Sequence, residues 1–322
     1  MSFVSIGITS IIRDYPIKYG DGFVDTDDYL LTKKQTAGKD SYFDPQEEKI
    51  RFRAKDWWKY LISLVLIVIY LFPFYVIINV SLKSFTDTTS RIQFPAEIYW
   101  GNYESVISSG DIFMGIKNSL IITVFVLLVE IVLGCMAAYA LARNQSKLNE
   151  VVRSLIMSVM MITPLTILVG VYSTMSAIHA TSTYWGMVVV LSAFGLPLTI
   201  LLYTNFISSI PTSLDEAAAI DGASNLQVFF RVILPQLKTV TVTVIILQGV
   251  SVWNEYTYGY YFLQKTSMRT ITLVIKTYFS AVSNDYGGAA ATAVIGMLPL
   301  VVVYLFLQKY FIQGTVDSAV KG

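Results

Sequence analysis

Long apolar runs separated by short polar segments dominate the sequence after residue 56. The first run, Leu61–Leu82, has no charged residue and would form a helix about 33 Å long, enough to cross a hydrocarbon core of about 30 Å. Prolines at 73, 164, 197 and 299 lie inside such runs and predict kinks. The pattern predicts an all-α membrane protein with six transmembrane helices over residues 57–322. The other five spans are expected at about Gly115–Ala142, Leu155–Ile178, Tyr184–Ser208, Thr239–Phe262 and Ala289–Ile312.

Residues 1–56 differ from the rest of the chain, because they mix both charges with Gly, Asp and Thr and show no sustained period. Their apolar start, Phe3–Ile12, lacks the basic region and the small-residue cleavage site of a signal peptide, so we interpret it as a short amphipathic or interfacial segment. The sequence thus predicts a cytoplasmic N-terminal extension, partly disordered or interfacial. A collar of Trp, Tyr and Lys from Lys55 to Tyr60 marks the first headgroup interface.

Basic residues are distributed unequally between the two sides of the predicted spans. Seventeen of the 23 Lys and Arg residues fall before span one, after spans two and four, or near the C-terminus, and six fall on the opposite side. Cytoplasmic segments carry such an excess, and the five basic residues from Lys49 to Lys59 lie near the membrane. Both termini and the segment after span four are therefore predicted to be cytoplasmic.

Residues 211–236, between spans four and five, carry the most strongly patterned polar sequence of the chain. Ser213 and Glu216 have the spacing of a capping box, in which the hydroxyl accepts from the third helical amide and the carboxylate reaches back to the cap. Ser224 and Gln227 repeat this spacing. The segment is therefore predicted to form two short helices, a helix-turn-helix elbow.

The turn and the end of this elbow are marked by a glycine and a proline. Gly222 can take the left-handed conformation that ends a helix, and the second helix is expected to finish near Pro235 because proline donates no backbone hydrogen bond. Phe229 and Phe230 on the second helix suit docking into a groove on another protein. A surface helix pair that only reconnects two spans is the alternative, and the pattern leaves both open.

The elbow resembles the EAA motif of the membrane subunits of ABC importers. It has Glu216-Ala217-Ala218, then Gly222 four residues after Ala218, and finally Leu234-Pro235; Asp221 beside the glycine gives the Asp-Gly-Ala form typical of the carbohydrate-uptake branch. Val232 departs from the isoleucine usual in the family. The resemblance extends over about residues 57–322 and is specifically to the second permease of maltose-type importers.

This resemblance implies that the elbow inserts into a separate ATP-binding subunit. The chain itself has no Gly-x-x-x-x-Gly-Lys-Ser/Thr loop, so we expect no cofactor on it, with ATP and Mg²⁺ bound by partner subunits. The implied partners are a second homologous permease, two ATP-binding subunits, an extracellular sugar-binding protein and membrane lipid. The implied ATPase-coupling residues are Glu216, Ala217, Ala218, Asp221, Gly222, Phe229, Phe230 and Pro235.

Composition agrees with a membrane protein. The 322 residues are 54% hydrophobic and 14% charged, with a mean hydropathy of +0.59 and a net charge of +1, so no nucleic-acid partner is expected. One cysteine and one histidine cannot form a disulfide framework or a metal site within one chain. Cys135 is interpreted as a small core residue and His179 as a loop residue.

Two acidic residues stand inside predicted spans, where ionisable groups are costly and usually functional. Glu130 lies among valines and leucines, and a hydrogen bond to a neighbouring helix in its protonated form is the favoured interpretation. Glu255 lies in a run of hydrogen-bonding groups and aromatic rings about midway along span five. The candidate residues of a substrate path are therefore Trp253, Asn254, Glu255, Tyr256 and Tyr258.

This run suits a sugar, because amides and carboxylates bind hydroxyl groups while aromatic rings cover the apolar faces of a pyranose. Polar residues also join helices in membranes, so contact between permease subunits is the alternative. A Trp-Asn-Glu-Tyr/Phe stretch recurs in carbohydrate permeases, which supports its importance without choosing between the two roles.

The sequence therefore predicts a non-catalytic permease subunit of an ATP-binding-cassette importer in the bacterial cell membrane, moving a sugar or oligosaccharide. The outward segment Lys83–Met114 resembles the family's external loop and is expected to form part of the landing surface for the binding protein. A non-sugar solute is the alternative cargo. A secondary carrier is less favoured, because it would show inverted repeats and a coupling-ion site. The enzyme motifs His-x-x-Glu-His and Gly-x-Ser-x-Gly are absent from the sequence.

Overall fold

The computed structural model describes residues 57–144, 146–279 and 284–320, and two short antiparallel strands, β1 (Lys18–Tyr19) and β2 (Gly22–Phe23). The remainder of the predicted N-terminal extension lies outside the described residues. The α-helices of the described part are α1 (Trp57–Ser81), α2 (Gly101–Ser108), α3 (Asp111–Arg143), α4 (Lys147–Val159), α5 (Leu168–Ala177), α6 (Tyr184–Ser208), α7 (Ser213–Ile220), α8 (Asn225–Val228), α9 (Lys238–Trp253), α10 (Thr257–Phe262), α11 (Ile271–Thr277) and α12 (Tyr286–Val320).

Membrane-length helices form the framework of the described chain. Within the described residues, five helices are long and apolar enough to cross a membrane, or six if the bent pair formed by Lys147–Val159 and Pro164–Ala177 is one span. The all-α membrane fold is thus confirmed. The chain divides into two compact units, Met1–Leu64 and Val65–Gly322, and the contacts described below lie in the second. The predicted domain boundary after residue 56 stays a prediction.

The third predicted span, Leu155–Ile178, is not one straight helix. α4 begins earlier, at Lys147, and the chain turns by 90° before a 3-10 turn, Pro164–Ile167, leads into α5. Thr163, the residue before the proline, is extended, because the proline ring disfavours a helical conformation there. The proline therefore produces a sharp bend where the apolar run predicted only a kink.

The second, fourth and fifth spans form the centre of the bundle. α3 and α6 make the most extensive helix contact, and α9 packs against both of them and against α12. Close packing, rather than the exclusion of water, holds such helices together in lipid. Cys135 is buried in the cluster at the end of α3 that lies nearest the elbow, which confirms its prediction as a small core residue.

Span five and the segment after it differ from the expectation of one helix followed by a polar loop. α9 ends at Trp253, and α10 starts only after a break of three residues, Asn254–Tyr256. The segment beyond α10 includes α11, whose side chains Ile271, Leu273 and Val274 are buried. Polar backbone groups at such a break need partners inside the protein, and these partners define part of the site below.

Candidate functional site

The first helix of the elbow, α7, ends in the left-handed turn that the sequence predicts. Gly222 has φ +83°, a conformation that side-chain-bearing residues rarely adopt. The Ala223 amide donates to the Ala218 carbonyl and the Gly222 amide to the Ala219 carbonyl, both at 3.0 Å. This pair of bonds is the Schellman motif, so the glycine fixes the angle between the two limbs of the elbow.

Of the two predicted capping boxes, the second is confirmed and the first is wrong. The Gln227 amide donates to Ser224 Oγ at 3.4 Å, and the Ser224 amide donates to Gln227 Oε1 at 2.8 Å. At the first limb the helix starts one residue earlier than predicted, so the Glu216 amide donates to the Thr212 carbonyl at 3.1 Å instead of to the Ser213 hydroxyl.

The second limb of the elbow does not end at Pro235, which corrects the prediction from sequence. α8 passes into a π-helical turn, Phe229–Ile233, then into a 3-10 turn, Leu234–Leu237, and directly into α9. The proline sits at the start of the 3-10 turn, where its missing N–H is tolerated. The limb and span five therefore form one continuous helical rod, Asn225–Trp253.

The two phenylalanines of the elbow have different environments. Phe229 is 3% exposed and packs against Tyr139 of α3, with ring centroids 5.2 Å apart, whereas Phe230 is 52% exposed. Phe229 does not face solvent, so it would influence a partner only through the packing of the limb. The exposed surface of the elbow combines two apolar residues, Leu214 and Leu226, with six of the predicted coupling residues. These six are Glu216, Ala217, Asp221, Gly222, Phe230 and Pro235.

An ion pair that was not predicted from the sequence connects the elbow to the bundle. Arg143, the last residue of α3, pairs with Asp215 of α7 at 2.8 Å (Nη2 to Oδ2), and both side chains are mostly buried. Tyr139 donates its hydroxyl to the other Asp215 oxygen at 2.9 Å. Arg143 also donates to the carbonyls of Ile207 and Ile210 at the end of α6. The sequence feature that could have indicated this ion pair is Arg143 itself, an arginine directly after an apolar run.

A cavity of about 540 Å³ lies among spans two to five. Its walls combine apolar and aromatic surface with a small number of polar groups, the usual composition of a ligand site. The 90° bend supplies Thr163 and Pro164 to one wall. The polar and aromatic lining residues are Glu130, Thr163, Phe194, Gln248, Ser251, Glu255, Thr257 and Tyr258.

Glu130 of span two is fully buried beside this cavity and hydrogen-bonded to span four, as the structural interpretation predicts. Thr199 of α6 donates to its Oε2 at 3.2 Å, while Oε1 has no hydrogen-bond partner among the described residues. Gln248 donates to the Thr199 hydroxyl and to the Gly195 carbonyl. This network joins α3, α6 and α9 and leaves the Glu130 Oε1 atom as a free acceptor at the cavity wall. Gln248 was not predicted as a site residue, although an amide inside an apolar run could have indicated it.

Gly195→Ala is expected to lower the free energy of unfolding by about 1–3 kcal/mol, because the added methyl overpacks a filled site. A Cβ there would lie within bonding distance of Glu130 Oε1 and close to Gln248 Nε2, so both side chains must move. Thermal unfolding of the detergent-solubilised protein measures the change. Gly170→Ala, whose methyl meets nothing within 4 Å, is the matched control. No recovery on adding Glu130→Ala would contradict the proposed clash.

Glu255 caps the helix that follows the break in span five. Its carboxylate accepts the amide of Tyr258 at 2.7 Å and that of Gly259 at 2.8 Å. Its own carbonyl, released by the break, accepts the Thr272 hydroxyl at 2.8 Å. The side chain therefore satisfies the exposed start of α10 while lining the cavity.

The other predicted path residues lie in different places. Tyr258 lines the cavity and donates its hydroxyl to the Pro164 carbonyl at 2.7 Å, which joins α10 to the bend. Trp253 is buried away from the cavity lining and donates to the Gly296 carbonyl of α12 at 3.2 Å, a helix-to-helix contact. Asn254 and Tyr256 are exposed. The structure thus brings Glu255 and Tyr258 together with Glu130 and separates the remaining three from them.

Glu255→Ala is expected to destabilise the protein by about 2 kcal/mol, because the buried amides of Tyr258 and Gly259 lose their side-chain acceptor. Glu255→Gln keeps one acceptor oxygen and should recover part of the loss. The melting temperature in detergent measures both, with Asn254→Ala at the exposed neighbouring position as control. Equal melting temperatures for Glu255→Ala and the wild type would show that the cap contributes no stability.

The membrane-length helices, the internal cavity with its few polar groups and the elbow define a multi-pass helical membrane protein. Residues 130–316 match the protein family described as binding-protein-dependent transport system inner membrane component, and the chain belongs to this family. The chain is therefore the membrane subunit of such a transport system.

Named relatives agree with this assignment over nearly their whole length. The melibiose/raffinose/stachyose import permease MelC of Bacillus subtilis is 38% identical over 263 residues, covering 81% of this chain and 95% of the relative. The multiple sugar-binding transport system permease MsmG of Streptococcus mutans is 32% identical, covering 86% and 99%. The probable starch degradation products transport system permease AmyC of Thermoanaerobacterium thermosulfurigenes is 31% identical, covering 82% and 97%.

Solved structures show the same fold. A chain of a bacterial ABC transporter involved in the import of the acidic polysaccharide alginate superposes with a TM-score of 0.68 at 22% identity, covering 81% of this chain and 99% of the other. An inward-facing methionine ABC transporter, MetNI, gives a TM-score of 0.50 at 18% identity, covering 61% and 93%. At these identities the likeness concerns the fold.

Proposed function

We propose that this chain is the permease through which an ATP-driven importer moves a sugar or oligosaccharide into the cell. Its elbow docks into a separate ATP-binding subunit, which binds ATP and Mg²⁺ and performs the hydrolysis. Both termini and the elbow face the cytoplasm, as the excess of basic residues on that side supports. A second, homologous permease completes the membrane pathway, with two ATP-binding subunits beneath it.

One observation carries this proposal: the second limb of the elbow continues without interruption into span five, up to the cavity. The rod Asn225–Trp253 ends where the break begins, and the break holds Glu255 at the cavity wall. Displacement of the elbow by a partner therefore moves the cavity wall directly. Binding energy released at the ATP-binding subunits would shift the balance between outward-open and inward-open states.

The chemistry of the cavity supports a sugar as cargo. An amide, carboxylates and hydroxyls face rings from Phe194 and Tyr258, whose centroids lie 5.1 Å apart. Hydroxyl groups of a saccharide match these hydrogen-bonding groups, and its apolar faces match the rings. The sugar importers among the relatives, MelC and MsmG, support the same cargo class.

The outward segment offers an ordered surface for a solute-binding protein. Asn79 of α1 donates to the carbonyls of Arg91 and Gln93, both at 2.7 Å, and Arg91 lies 4.2 Å from the ring of Tyr286. Hydrogen bonds from Thr89 hold the pKa of the Asp87 carboxyl below its ordinary value. The exposed aromatic side chains on this surface are Phe85, Phe94, Tyr99 and Trp100.

The test uses the assembled complex, purified through an affinity tag on this chain and reconstituted in lipid with its binding protein. Raffinose and melibiose are expected to stimulate ATP hydrolysis several-fold and to accumulate inside proteoliposomes, whereas methionine should do neither. Stimulation by methionine alone would replace the sugar with an amino acid as cargo. Uptake without any co-purifying ATP-binding subunit would overturn the proposed mechanism.

A further inference from the structure

A second cavity, of about 440 Å³, is lined by different residue types from the first. It is lined by three tyrosines, one amide and two aliphatic side chains; Val169 is 80% exposed, and Tyr260 and Tyr261 are about half exposed. The tyrosine rings at 260 and 261 meet edge to face, with centroids 5.3 Å apart. The lining residues are Leu168, Val169, Tyr172, Tyr260, Tyr261 and Gln264.

The two cavities follow one another along the same pair of segments. The first cavity, called the central cavity below, is lined by Leu165 of the 3-10 turn and by Tyr258 of α10. The second cavity is lined by Leu168 and Tyr261, which lie three residues after Leu165 and Tyr258 respectively. Such a spacing is close to one helical turn, about 5 Å along each axis. Both segments run in the same direction, because the Tyr258 hydroxyl donates to the Pro164 carbonyl at one end and the Phe262 and Tyr172 rings meet edge to face at the other.

Gln264 holds its amide beside these rings. Its Nε2 donates to the Tyr172 hydroxyl at 3.1 Å, which connects the chain after α10 to α5 across the mouth of the cavity. An amide fixed next to tyrosine rings can exchange hydrogen bonds with hydroxyl groups while the rings cover an apolar face. A lipid tail would offer no hydrogen-bond partner to the Gln264 amide oxygen or to the hydroxyls of Tyr260 and Tyr261, so the lining favours a saccharide.

We propose that this second cavity is an outer subsite that holds one pyranose ring of an oligosaccharide whose next rings occupy the central cavity. The inference rests on the proposed function and adds the position and the residues of the subsite. A consequence is length selectivity: longer saccharides use both cavities, whereas a disaccharide passes without depending on the outer one.

Transport rates test this selectivity. With loaded binding protein in excess, the double variant Tyr260→Ala/Tyr261→Ala should lower the maximal uptake rate of stachyose about tenfold and that of melibiose less than twofold. Tyr260→Phe/Tyr261→Phe, which keeps the ring faces, should transport both sugars at nearly the wild-type rate. Tyr304→Ala, at another exposed tyrosine, is the matched control. Equal losses for both sugars, or none for either, would overturn the subsite.

Chemical protection tests occupancy directly. In a Cys135→Ser background, which removes the single native cysteine, Val169→Cys at the exposed aliphatic wall should react with a membrane-impermeant maleimide, and free stachyose should slow the reaction where mannitol at equal osmolarity does not. No reaction with or without stachyose would place lipid or a partner subunit over the cavity and would overturn the inference. If the wild-type complex imports stachyose while both tests are negative, the subsite alone is wrong. If the wild-type complex imports no sugar, the proposed function is wrong.

Discussion

Gly222→Pro is expected to abolish sugar uptake while the protein still inserts into the membrane. Proline fixes φ near about −65°, so it cannot adopt the φ of +83° found at this turn, and it removes the amide that donates to the Ala219 carbonyl. The two limbs of the elbow would then meet at another angle. A loss of docking energy of about 3 kcal/mol corresponds to about a hundredfold weaker association.

The measurement compares uptake with ATP hydrolysis in the same proteoliposomes. ATP-binding subunits that no longer engage the elbow should hydrolyse ATP without regard to sugar. The expected loss of uptake comes from the backbone conformation and not from a steric clash, since a Cβ at Gly222 would meet nothing within 4 Å. Gly222→Asn, which tolerates the left-handed region, is therefore the control and should retain most uptake. Normal uptake by the proline variant would refute the coupling role of the turn.

Glu216→Lys extends the test to the docking surface. The side chain is exposed on the first limb and takes no part in a capping box, so a charge reversal leaves the fold of α7 in place. Uptake is expected to fall together with sugar-stimulated ATP hydrolysis, while the melting temperature stays unchanged. A lower melting temperature with normal coupling would assign the residue to stability instead.

Arg143→Ala is expected to lower both the stability of the complex and its maximal uptake rate. The arginine holds three partners at once: Asp215 on the elbow and the carbonyls of Ile207 and Ile210 at the end of span four. Removing it leaves a mostly buried carboxylate with one partner, Tyr139. A lost charge-assisted bond of this kind costs about 1.5–3 kcal/mol.

A double-mutant cycle isolates the ion pair. Arg143→Ala, Asp215→Ala and the double variant are compared by melting temperature and by the ratio of sugar uptake to ATP hydrolysis. If the pair transmits the motion of the elbow, each single variant lowers this ratio and the double variant is little worse than either. Arg153→Ala, an exposed arginine on α4, is the control. Additive losses would show that the two residues act independently.

Features of this chain that depend on neighbouring residues follow most directly from its sequence. Apolar runs long enough to cross lipid located the spans, and the Ser224–Gln227 box and the left-handed Gly222 were confirmed because capping depends on neighbours within one or two turns. At Pro235, by contrast, the expected end of the helix does not occur. The chain instead changes its hydrogen-bond pattern and continues, because the apolar residues on either side, Ile233 and Leu237, are buried in the bundle.

The candidate substrate path was also predictable from the sequence only in its local features. A run of polar and aromatic residues pointed to the region of Glu255, yet adjacent residues on a broken helix face different ways, so Trp253 contacts α12 while Tyr258 faces the cavity. Partners far apart in sequence were not predictable: Glu130 meets Thr199, and Arg143 meets Asp215. No periodicity within one span encodes which side chain of another span lies opposite.

By itself, the sequence determined that this chain crosses the membrane several times, which side of it carries basic charge, and where a capped elbow interrupts the spans. These properties follow from hydrophobic length, charge bias and short-range hydrogen bonds, all of which act within a few residues. Only the tertiary structure decided that the elbow is continuous with span five, that an arginine of span two holds it, and that two cavities follow one another along α10. Those features depend on contacts between distant segments, whose geometry is fixed only when the helices pack.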